Sequence, residues 1–507
     1  MNLVYNIKDK PKFGQVLLFA LQQLLAIMAA TIAVPAIVGH GMSSTAALFG
    51  AGIGTLVYLL FTKFRSPVFL GSSFAFLGSM AAAFAGGVSM QLGYLGLIIG
   101  ALFAGLVYVV IAIVVKIAGV KWINKLMPAI VIGPIVAIIG LSLAGNAIGD
   151  LTKGNVTHTE IGFATHQITE DDLINKNLLI VESVEGETVT EESAKIASEE
   201  IFSTLKAGDT VMIKTKNNVQ NANKYLCLVV GLITLAVTML CSVYGKKMLK
   251  MIPFIMGILA GYAVAAIFTL IGNATGNTAL QIINFSGFQT MQWYPDFTFL
   301  TAFKGFGEMN GAYFLTILVA YVPVAFVVFA EHLADHKNLS TIVGVDLTED
   351  PGLHRTLLGD GVGSFAGAIF GGCPNTTYGE SIGCVAISGN ASVVTILCTA
   401  ILAILISFVG PFAAFLASIP SCVMGGVCIA LYGFIAVSGL KMIQKVDLND
   451  NRNLFVVSVI LIAGVGGLTV SFGKVNLTTV ACALILGVLT NLILGGMKKK
   501  KEQNTLK

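Results

Sequence analysis

Three carboxylates stand inside or directly beside apolar stretches of this sequence. Glu331 follows the apolar run FLTILVAYVPVAFVVFA, Asp335 lies four residues later, and Glu380 sits within PNTTYGESIGCVAI. An ionised carboxylate in the middle of a membrane costs on the order of 3 kcal/mol, so such a residue normally faces a cavity or a partner. We therefore expect Glu331 and Glu380 to bind a solute; the alternative for Glu331 is a solvated position at the end of a helix.

The spacing of Glu331 and Asp335 would place both side chains on one face of a helix. Two carboxylates close together in a low dielectric cannot both ionise easily, so the pair can hold a proton near neutral pH. A proton-coupled carrier requires this chemistry, and His332 and His336 flank the pair as candidate relays. Histidines at a helix end are more often only solvated. Asp360, in LLGDGVGS, could be a third intramembrane acid or serve packing or a hinge.

The elements that must position these residues are membrane helices. The 507 residues are 56% hydrophobic and 11% charged, with a mean hydropathy of +0.86, whereas a soluble domain has about 25% charged residues. This composition excludes a soluble globular protein and a disordered chain. The apolar runs have the length of helices, not the alternation of barrel strands. We expect fourteen, at 15–38, 44–62, 67–86, 91–117, 122–146, 224–244, 251–273, 311–334, 356–372, 374–388, 391–409, 411–436, 453–471 and 476–496.

Positive charges predict how these segments are oriented. Each Lys and Arg cluster follows an even number of crossings, at 8–12, 63–65, 116–125, 246–250, 337–355, 441–452 and 498–501. The positive-inside rule then puts both termini in the cytoplasm. We expect a multi-pass protein of the cell membrane, embedded in the lipid bilayer, with no nucleic-acid partner and with a basic cytoplasmic tail at 497–507.

One insert, residues 150–223, differs from the rest in composition. It holds 13 of the 26 acidic residues and six lysines, and the crossing count places it outside the cell. Alternating runs such as LLIVESVEGETVT and DTVMIKTK predict a small module that contains strands. Because acidic runs are usually only solvated, we expect an extracellular elaboration; an extracellular receptor is the alternative.

The chain also repeats itself at a distance of seven segments. SSFAF (72–76) near the third segment matches TTYGE (376–380) near the tenth, and LQQLLA in the first matches AEHLAD in the eighth. An odd number of crossings per half makes the two halves inverted, and interrupted segments at matching positions indicate a transporter's midplane site. Backbone N–H groups exposed there, together with carboxylates, suit a planar, uncharged, hydrogen-bonding solute better than an inorganic anion.

Five motifs carry a more specific signal: LGSSFAF (70–76), FAEHLADHKNL (329–339), DPGLHRTLLGDGVGS (350–364), GGCPNTTYGESIG (371–383) and IPSCVMGGV (419–427). They closely resemble the nucleobase–ascorbate transporters (nucleobase:cation symporter-2 family), in particular the bacterial uracil permease and uracil–xanthine permease branch. The resemblance covers nearly the whole chain except the insert.

This resemblance implies an all-α polytopic membrane protein with fourteen transmembrane segments in two inverted repeats of seven. Segments 1–4 and 8–11 would form a core domain and segments 5–7 and 12–14 a gate domain. Segments 3 and 10 would each begin with a short extended stretch that pairs with its counterpart. A homodimer through the gate domains is also implied. The divisions would be 1–146 (segments 1–5), 150–223 (the insert), 224–273 (gate), 311–409 (core), 411–496 (gate) and 497–507 (tail).

Residue by residue, the resemblance implies that Glu331 and Glu380 bind the N–H groups of a pyrimidine ring. The backbone N–H groups of Phe74 and Gly379 would bind its carbonyls. Three further side chains would complete the pocket, with Ser73 and Tyr378 shaping it and Tyr432 approaching from the gate. Uracil fits this pattern, since it offers N–H donors flanked by carbonyl acceptors.

The residues expected to couple transport to protons are Glu331, Asp335 and His332. Two positions depart from the uracil permease pattern, because Gln23 and Asp335 stand where histidines are expected. The purine-transporting branch favours Asp at the second of these positions, whereas PNTTYGE points to the uracil side.

We therefore expect a secondary-active nucleobase importer, most simply a uracil:proton symporter working by alternating access, with no cofactor and no metal site. A xanthine or uric acid permease and a sodium-coupled carrier are alternatives within transport. An anion carrier would have no carboxylate at its centre, and a membrane sensor would depend on the insert. The sequence contains no metal-spaced His/Cys set, no GxSxG and no phosphate-binding loop, so we do not expect an enzyme.

Overall fold

The computed structural model describes residues 3–119, 128–168, 180–181, 206, 209–246, 249, 252–289, 291–472 and 475–505. Most of these residues are helical. The helices of the first half are α1 (Phe13–Val38), α2 (Ser44–Phe61), α3 (Leu77–Ala83), α4 (Met90–Ala118), α5 (Ala129–Ser142), α6 (Ala144–Asp150), α7 (Lys224–Tyr244) and α8 (Pro253–Thr275). Those of the second half are α9 (Thr298–Ala302), α10 (Gly311–Val343), α11 (Leu353–Gly371), α12 (Gly379–Ser388), α13 (Val393–Ile406), α14 (Gly410–Ser418), α15 (Ser421–Ile443), α16 (Asn451–Val465) and α17 (Thr479–Thr505).

Seven short or medium strands accompany these helices: β1 (Leu70–Ser72), β2 (Thr157–Gln167), β3 (Ile180–Val181), β4 (Thr210–Gln220), β5 (Asn375–Thr377), β6 (Val470–Phe472) and β7 (Val475–Leu477). Strands β2, β4 and β3 form a three-stranded antiparallel sheet inside the insert. Residues 122–127 of the predicted fifth segment and most of the insert between 169 and 208 lie outside the described residues.

Within the described residues, eight helical spans are long and apolar enough to cross a membrane: α1, α2, α4, α5 with α6, α7, α8, α10 and α15. Helices α13 and α14, which are bent by 84° at their junction, make a ninth if they are counted together. The chain is therefore a multi-pass membrane protein. The division into fourteen segments is finer than this count and stays a prediction.

Two of the strands meet at the centre of the molecule. Strand β1 pairs antiparallel with β5, so that Leu70 lies opposite Thr377 and Ser72 opposite Asn375. All six residues are buried. The predicted extended stretches, and their pairing with each other, are therefore present.

The chain becomes extended at β5 because of the residues just before it. Helix α11 ends at Gly371 and is capped by Gly372, which adopts a left-handed conformation with φ of +71°. Pro374 then has no N–H to continue a helix. Helix α2 supports the strands: the Leu70 N–H donates to the Thr55 hydroxyl at 2.9 Å, and the Asn375 side chain donates to the Gly50 carbonyl at 3.2 Å.

Glycines allow α2 and α11 to approach until their backbones touch. A Cβ atom added to Gly54 would meet the carbonyl oxygen of Gly363 at 2.7 Å, and one added to Gly363 would meet that of Gly54 at 2.6 Å. Small residues allow such close helix packing within a membrane. Helices α2 and α11 are therefore in close backbone contact beneath the strands.

Several predicted segments have different limits in the structure. The helix expected at 311–334 continues to Val343, so Glu331 and Asp335 lie well inside it. The segment expected at 411–436 is two helices, α14 and α15, because the chain breaks at Pro420, and proline disfavours helical geometry in the residue before it. The segment expected at 453–471 ends as a helix at Val465 and continues into strands β6 and β7, which pair with each other.

Candidate functional site

A cavity of about 400 Å³ lies beside the paired strands. This volume is within the range of small-molecule sites. Seven of the residues singled out from the sequence line the cavity: Ser73, Phe74, Glu331, Asp335, Tyr378, Gly379 and Glu380. The rest of the wall is largely apolar and includes residues of α5 and α15, among them Ile132, Val136, Leu431 and Phe434.

Helix α10 supplies Glu331 and Asp335 to this cavity from one face. Both side chains are half-buried. The Asp335 carboxylate accepts a hydrogen bond of 2.8 Å from the hydroxyl of Thr377, the last residue of β5. Helix α10 and the central strands are thus connected directly at the cavity wall.

Helix α12 begins at the cavity. Gly379 is its first residue, and the first N–H groups of a helix have no partner within it. Glu380 lies in the first turn, where the helix dipole favours a negative charge. The start of α12 therefore presents a backbone donor and a carboxylate side by side.

Tyr378 fixes the approach of the two strands. Its hydroxyl donates to the Ser72 carbonyl at 2.8 Å, and the Thr31 hydroxyl of α1 donates to it at 3.4 Å. A Cβ atom added to Gly71 would overlap the Tyr378 ring. The ring therefore packs directly on the backbone of β1. The nearby Ser73 hydroxyl is buried and has no hydrogen-bond partner among the described residues.

Phe74 begins a short 3₁₀ turn that leads into α3, and its ring faces Tyr432 of α15. The two ring centroids are 5.9 Å apart in an edge-to-face arrangement. Tyr432 is buried. On α15, its neighbours Leu431 and Phe434 line the cavity. The structure therefore places Tyr432 against Phe74, behind the wall.

His332 lies away from the cavity, on the side of α10 that faces α11. Its Nδ1 is 2.7 Å from a carboxylate oxygen of Asp360, and its Nε2 is 3.0 Å from the Thr356 hydroxyl. His332 and Asp360 are fully or almost fully buried. His336 is also buried, between the Tyr58 hydroxyl at 2.8 Å and the carbonyl of residue 332 at 2.9 Å. Of the three residues expected to couple protons, Glu331 and Asp335 line the cavity and His332 does not.

Gln23 and Ser381 help to position the site, and neither was singled out as a site residue in the sequence. The Gln23 side chain of α1 donates to both the hydroxyl and the carbonyl of Ser381, which follows Glu380. The Phe69 N–H donates to the same hydroxyl at 3.1 Å. Gln23 belongs to the repeated LQQLLA pattern and departs from the uracil permease pattern. The available signal was a polar side chain within an apolar helix, since buried polar groups almost always have a hydrogen-bond partner.

Within the described part of the chain, no group of three or more His, Cys, Asp and Glu side chains is arranged to hold a metal ion. The carboxylates around the cavity are spaced along two helices and are accompanied by hydroxyl and backbone donors. This arrangement can bind a small polar solute through hydrogen bonds.

Comparisons with known proteins agree with these features. A model of the permease family matches residues 14–169 and 203–473. The chain is 35% identical to the uracil permease of Bacillus caldolyticus, over 98% of this chain and 96% of that protein. It is 34% identical to the uracil permease of Escherichia coli (strain K12), over 96% and 93%. A solved structure of the transmembrane domain of the cyanobacterium bicarbonate transporter BicA matches with a TM-score of 0.56 at 16% identity, over 96% of this chain and 100% of that chain. At that identity the likeness concerns the fold alone.

Proposed function

This chain belongs to the permease family, in its nucleobase–ascorbate transporter branch, and we propose that it is a secondary-active importer that carries uracil together with protons. The family consists of permeases, so the protein is a transporter and not an enzyme. Its similarity to uracil permeases over nearly the full chain supports uracil as the substrate.

The observation that carries the proposal is the cavity shared by Glu331 and Glu380 beside the start of α12. Uracil has two ring N–H donors and two carbonyl acceptors. The two carboxylates can accept from the N–H groups, while the backbone N–H groups of Phe74 and Gly379 can donate to the carbonyls. Hydrogen bonds to charged groups contribute about 1.5–3 kcal/mol each, so analogues without a matching donor are rejected.

Proton coupling follows from the cost of placing two carboxylates around a neutral ligand. A proton on Glu331 would lower the electrostatic cost of closing the site around uracil. We propose that Glu331 is protonated while the site faces outward, that uracil then bridges Glu331 and Glu380, and that the site next opens inward. Loss of the proton to the cytoplasm weakens binding and releases the base. Asp335 would share the proton with Glu331.

For the architecture we propose fourteen segments in two inverted repeats, with both termini in the cytoplasm of a cell-membrane protein. Segments 1–4 and 8–11 would be the core and segments 5–7 and 12–14 the gate, with the insert 150–223 outside the cell. The pairing of β1 with β5, seven segments apart in this scheme, supports it. So does the composition of the cavity, whose carboxylates come from core segments and whose apolar wall comes from gate segments. A homodimer through the gate segments belongs to the same proposal.

Asp335 supports a second candidate within the same family, a purine permease for xanthine or uric acid. It lies on the cavity wall at a position where the purine branch favours Asp. Sodium coupling is a further variant, because carboxylate and hydroxyl oxygens are ligands that sodium accepts.

One experiment separates these proposals. Cells that lack their own permease and express this chain are given radiolabelled uracil, with and without a protonophore, in sodium-containing or sodium-free medium, and with excess unlabelled xanthine. Proton–uracil symport predicts uptake that a protonophore abolishes and that neither xanthine nor sodium removal changes. Inhibition by xanthine would favour the purine permease, and dependence on sodium would contradict proton coupling. The same cells expressing an equal amount of Glu380→Gln serve as the control.

A further inference from the structure

The first residues of the chain lie against the far end of the helix that carries Glu380. We call residues 3–9 the N-terminal strap. The N–H groups of Val4 and Tyr5 donate to the Gly389 carbonyl at 2.8 and 3.2 Å, and the Ala391 N–H donates to the Tyr5 carbonyl at 2.9 Å. Two more bonds continue this contact along the strap: the Val393 N–H donates to the Ile7 carbonyl at 3.2 Å, and the Ser392 hydroxyl donates to the Asp9 carbonyl at 2.6 Å.

Side chains reinforce this backbone contact. Leu3 and Ile7 pack in the same apolar cluster as Ala391 and Val393, which flank the turn after α12, and as Val343 at the end of α10. The Tyr5 hydroxyl donates to the Gln15 side chain of α1 at 2.8 Å. The Tyr5 ring also stands edge-on to Phe19. The strap therefore joins the start of α1 to the turn that follows α12.

Gly389, the residue that receives two of these hydrogen bonds, is also the C-cap of α12. It adopts a left-handed conformation with φ of +66°. A Cβ atom added to it would lie 3.3 Å from the Val4 backbone nitrogen. The end of α12 and the strap are thus in direct contact.

The short length of α12 makes this contact important for the cavity. The helix has ten residues, which gives a rod about 15 Å long. Its first two residues, Gly379 and Glu380, line the cavity, and its last residue precedes the strap contact. Because a helix this short behaves as a rigid unit, the position of its end determines the direction in which its beginning points.

We propose that the N-terminal strap positions α12 for substrate binding, by fixing the end of the helix while Gln23 fixes its beginning. Gln23 binds Ser381, so residues from the first 23 of the chain contact α12 at both ends. Without the strap, α12 can tilt about the Gln23 contact, and Gly379 and Glu380 leave the geometry that the solute requires. The binding measurement below rests on the proposed function, whereas the exchange measurement does not depend on it.

The test uses two full-length variants that loosen the strap contact in different ways. Tyr5→Ala/Ile7→Ser removes the apolar and hydrogen-bonding side chains of the strap, and Gly389→Ala pushes Val4 away from the turn. Gly276→Ala is the matched control, because Gly276 caps α8 in the same left-handed conformation with nothing within 4 Å of an added Cβ. Each purified variant is measured for uracil affinity, thermal stability, and hydrogen–deuterium exchange across residues 379–388.

We expect the uracil Kd to rise about fivefold in both strap variants, an effect comparable to the loss of one hydrogen bond. Exchange across 379–388 should rise in the same variants, and Gly276→Ala should match the wild type in both measurements. A strap that only stabilises the fold would lower the melting temperature and leave the Kd unchanged, which would overturn the proposal. If the wild-type protein does not bind uracil, the proposed function fails. The exchange then decides alone: a rise confined to the strap variants supports the positioning role, and unchanged exchange refutes it.

Discussion

The Thr377 hydroxyl donates a hydrogen bond of 2.8 Å to the carboxylate of Asp335, and this bond joins the central strand β5 to helix α10 at the cavity wall. Asp335 is one of the positions at which the chain departs from the uracil permease pattern. In this structure it has a defined partner in the TTYGE motif. The strand that leads to Gly379 and the helix that carries Glu331 are therefore fixed relative to each other beside the cavity.

The first prediction concerns this bond. If Asp335 and Thr377 act on binding mainly through each other, Asp335→Ala and Thr377→Val should each weaken uracil binding about fivefold, and the double variant should be no weaker than the weaker single one. Residues in contact typically show interaction energies of about 0.5–3 kcal/mol in such a cycle. The measurement is the Kd of the four purified proteins. Independent effects that multiply in the double variant would show that the bond does not couple the two elements.

A second prediction concerns the buried pair of His332 and Asp360 behind the cavity. Removing one partner of a buried hydrogen-bonded pair costs about 1–3 kcal/mol, because the polar atoms of the other are left unsatisfied. We expect Asp360→Leu and His332→Leu to lower the free energy of unfolding by about that amount, measured as a loss of thermal stability in detergent. The replacement of both residues together should be less destabilising than either single change.

An exposed ion pair in the same chain is the control for this experiment. The Nη1 atom of Arg65 is 2.6 Å from the Oδ1 atom of Asp350, and the two side chains are 46% and 54% exposed. Such surface pairs contribute about 0–1 kcal/mol, so Asp350→Ala should leave stability almost unchanged. Equal losses in Asp360→Leu and Asp350→Ala would contradict the structural role of the buried pair.

The third prediction concerns the close contact of Gly71 with Tyr378. An added Cβ would overlap the Tyr378 ring, and overpacking of a buried site costs about 1–3 kcal/mol. Gly71→Ala should therefore separate β1 from β5 and reduce uracil uptake strongly at equal expression. Gly14→Ala, where nothing lies within 4 Å of the new Cβ, should transport normally. Wild-type uptake by Gly71→Ala would mean that the strand contact does not shape the cavity.

The sequence predicted the residues that line the cavity more accurately than it predicted the boundaries of the surrounding helices. Glu331 and Glu380 stood out because a carboxylate is rare within an apolar run, and the matching SSFAF and TTYGE runs indicated the two strands that pair. The break at Pro420 lies within one continuous apolar stretch, so hydropathy alone merged α14 with α15. A local turn and the preference of the residue before proline decide that boundary.

Contacts between distant parts of the chain were not visible in the sequence. His332 neighbours Glu331 along the chain, and this suggested a shared role, but the helical turn directs it towards Asp360 and Thr356 instead. The contact of Tyr5 with the turn at Gly389 joins segments more than 380 residues apart. Neither periodicity nor charge pattern predicts such a pairing, because each depends on how the helices pack in three dimensions.

The most direct test of the proposed site is the binding of uracil to purified wild-type protein and to Glu331→Gln and Glu380→Gln, with Glu308→Gln as the control. Glu308 lies exposed outside the cavity. Glu380→Gln loses a hydrogen bond to a charged group, worth about 1.5–3 kcal/mol, and should bind uracil about 10- to 100-fold more weakly. Glu331→Gln imitates the protonated Glu331 of the binding state, so this variant and Glu308→Gln should bind uracil as the wild type does. Wild-type affinity in Glu380→Gln, or a loss of that size in Glu331→Gln, would contradict a uracil site built on a charged Glu380 and a protonated Glu331.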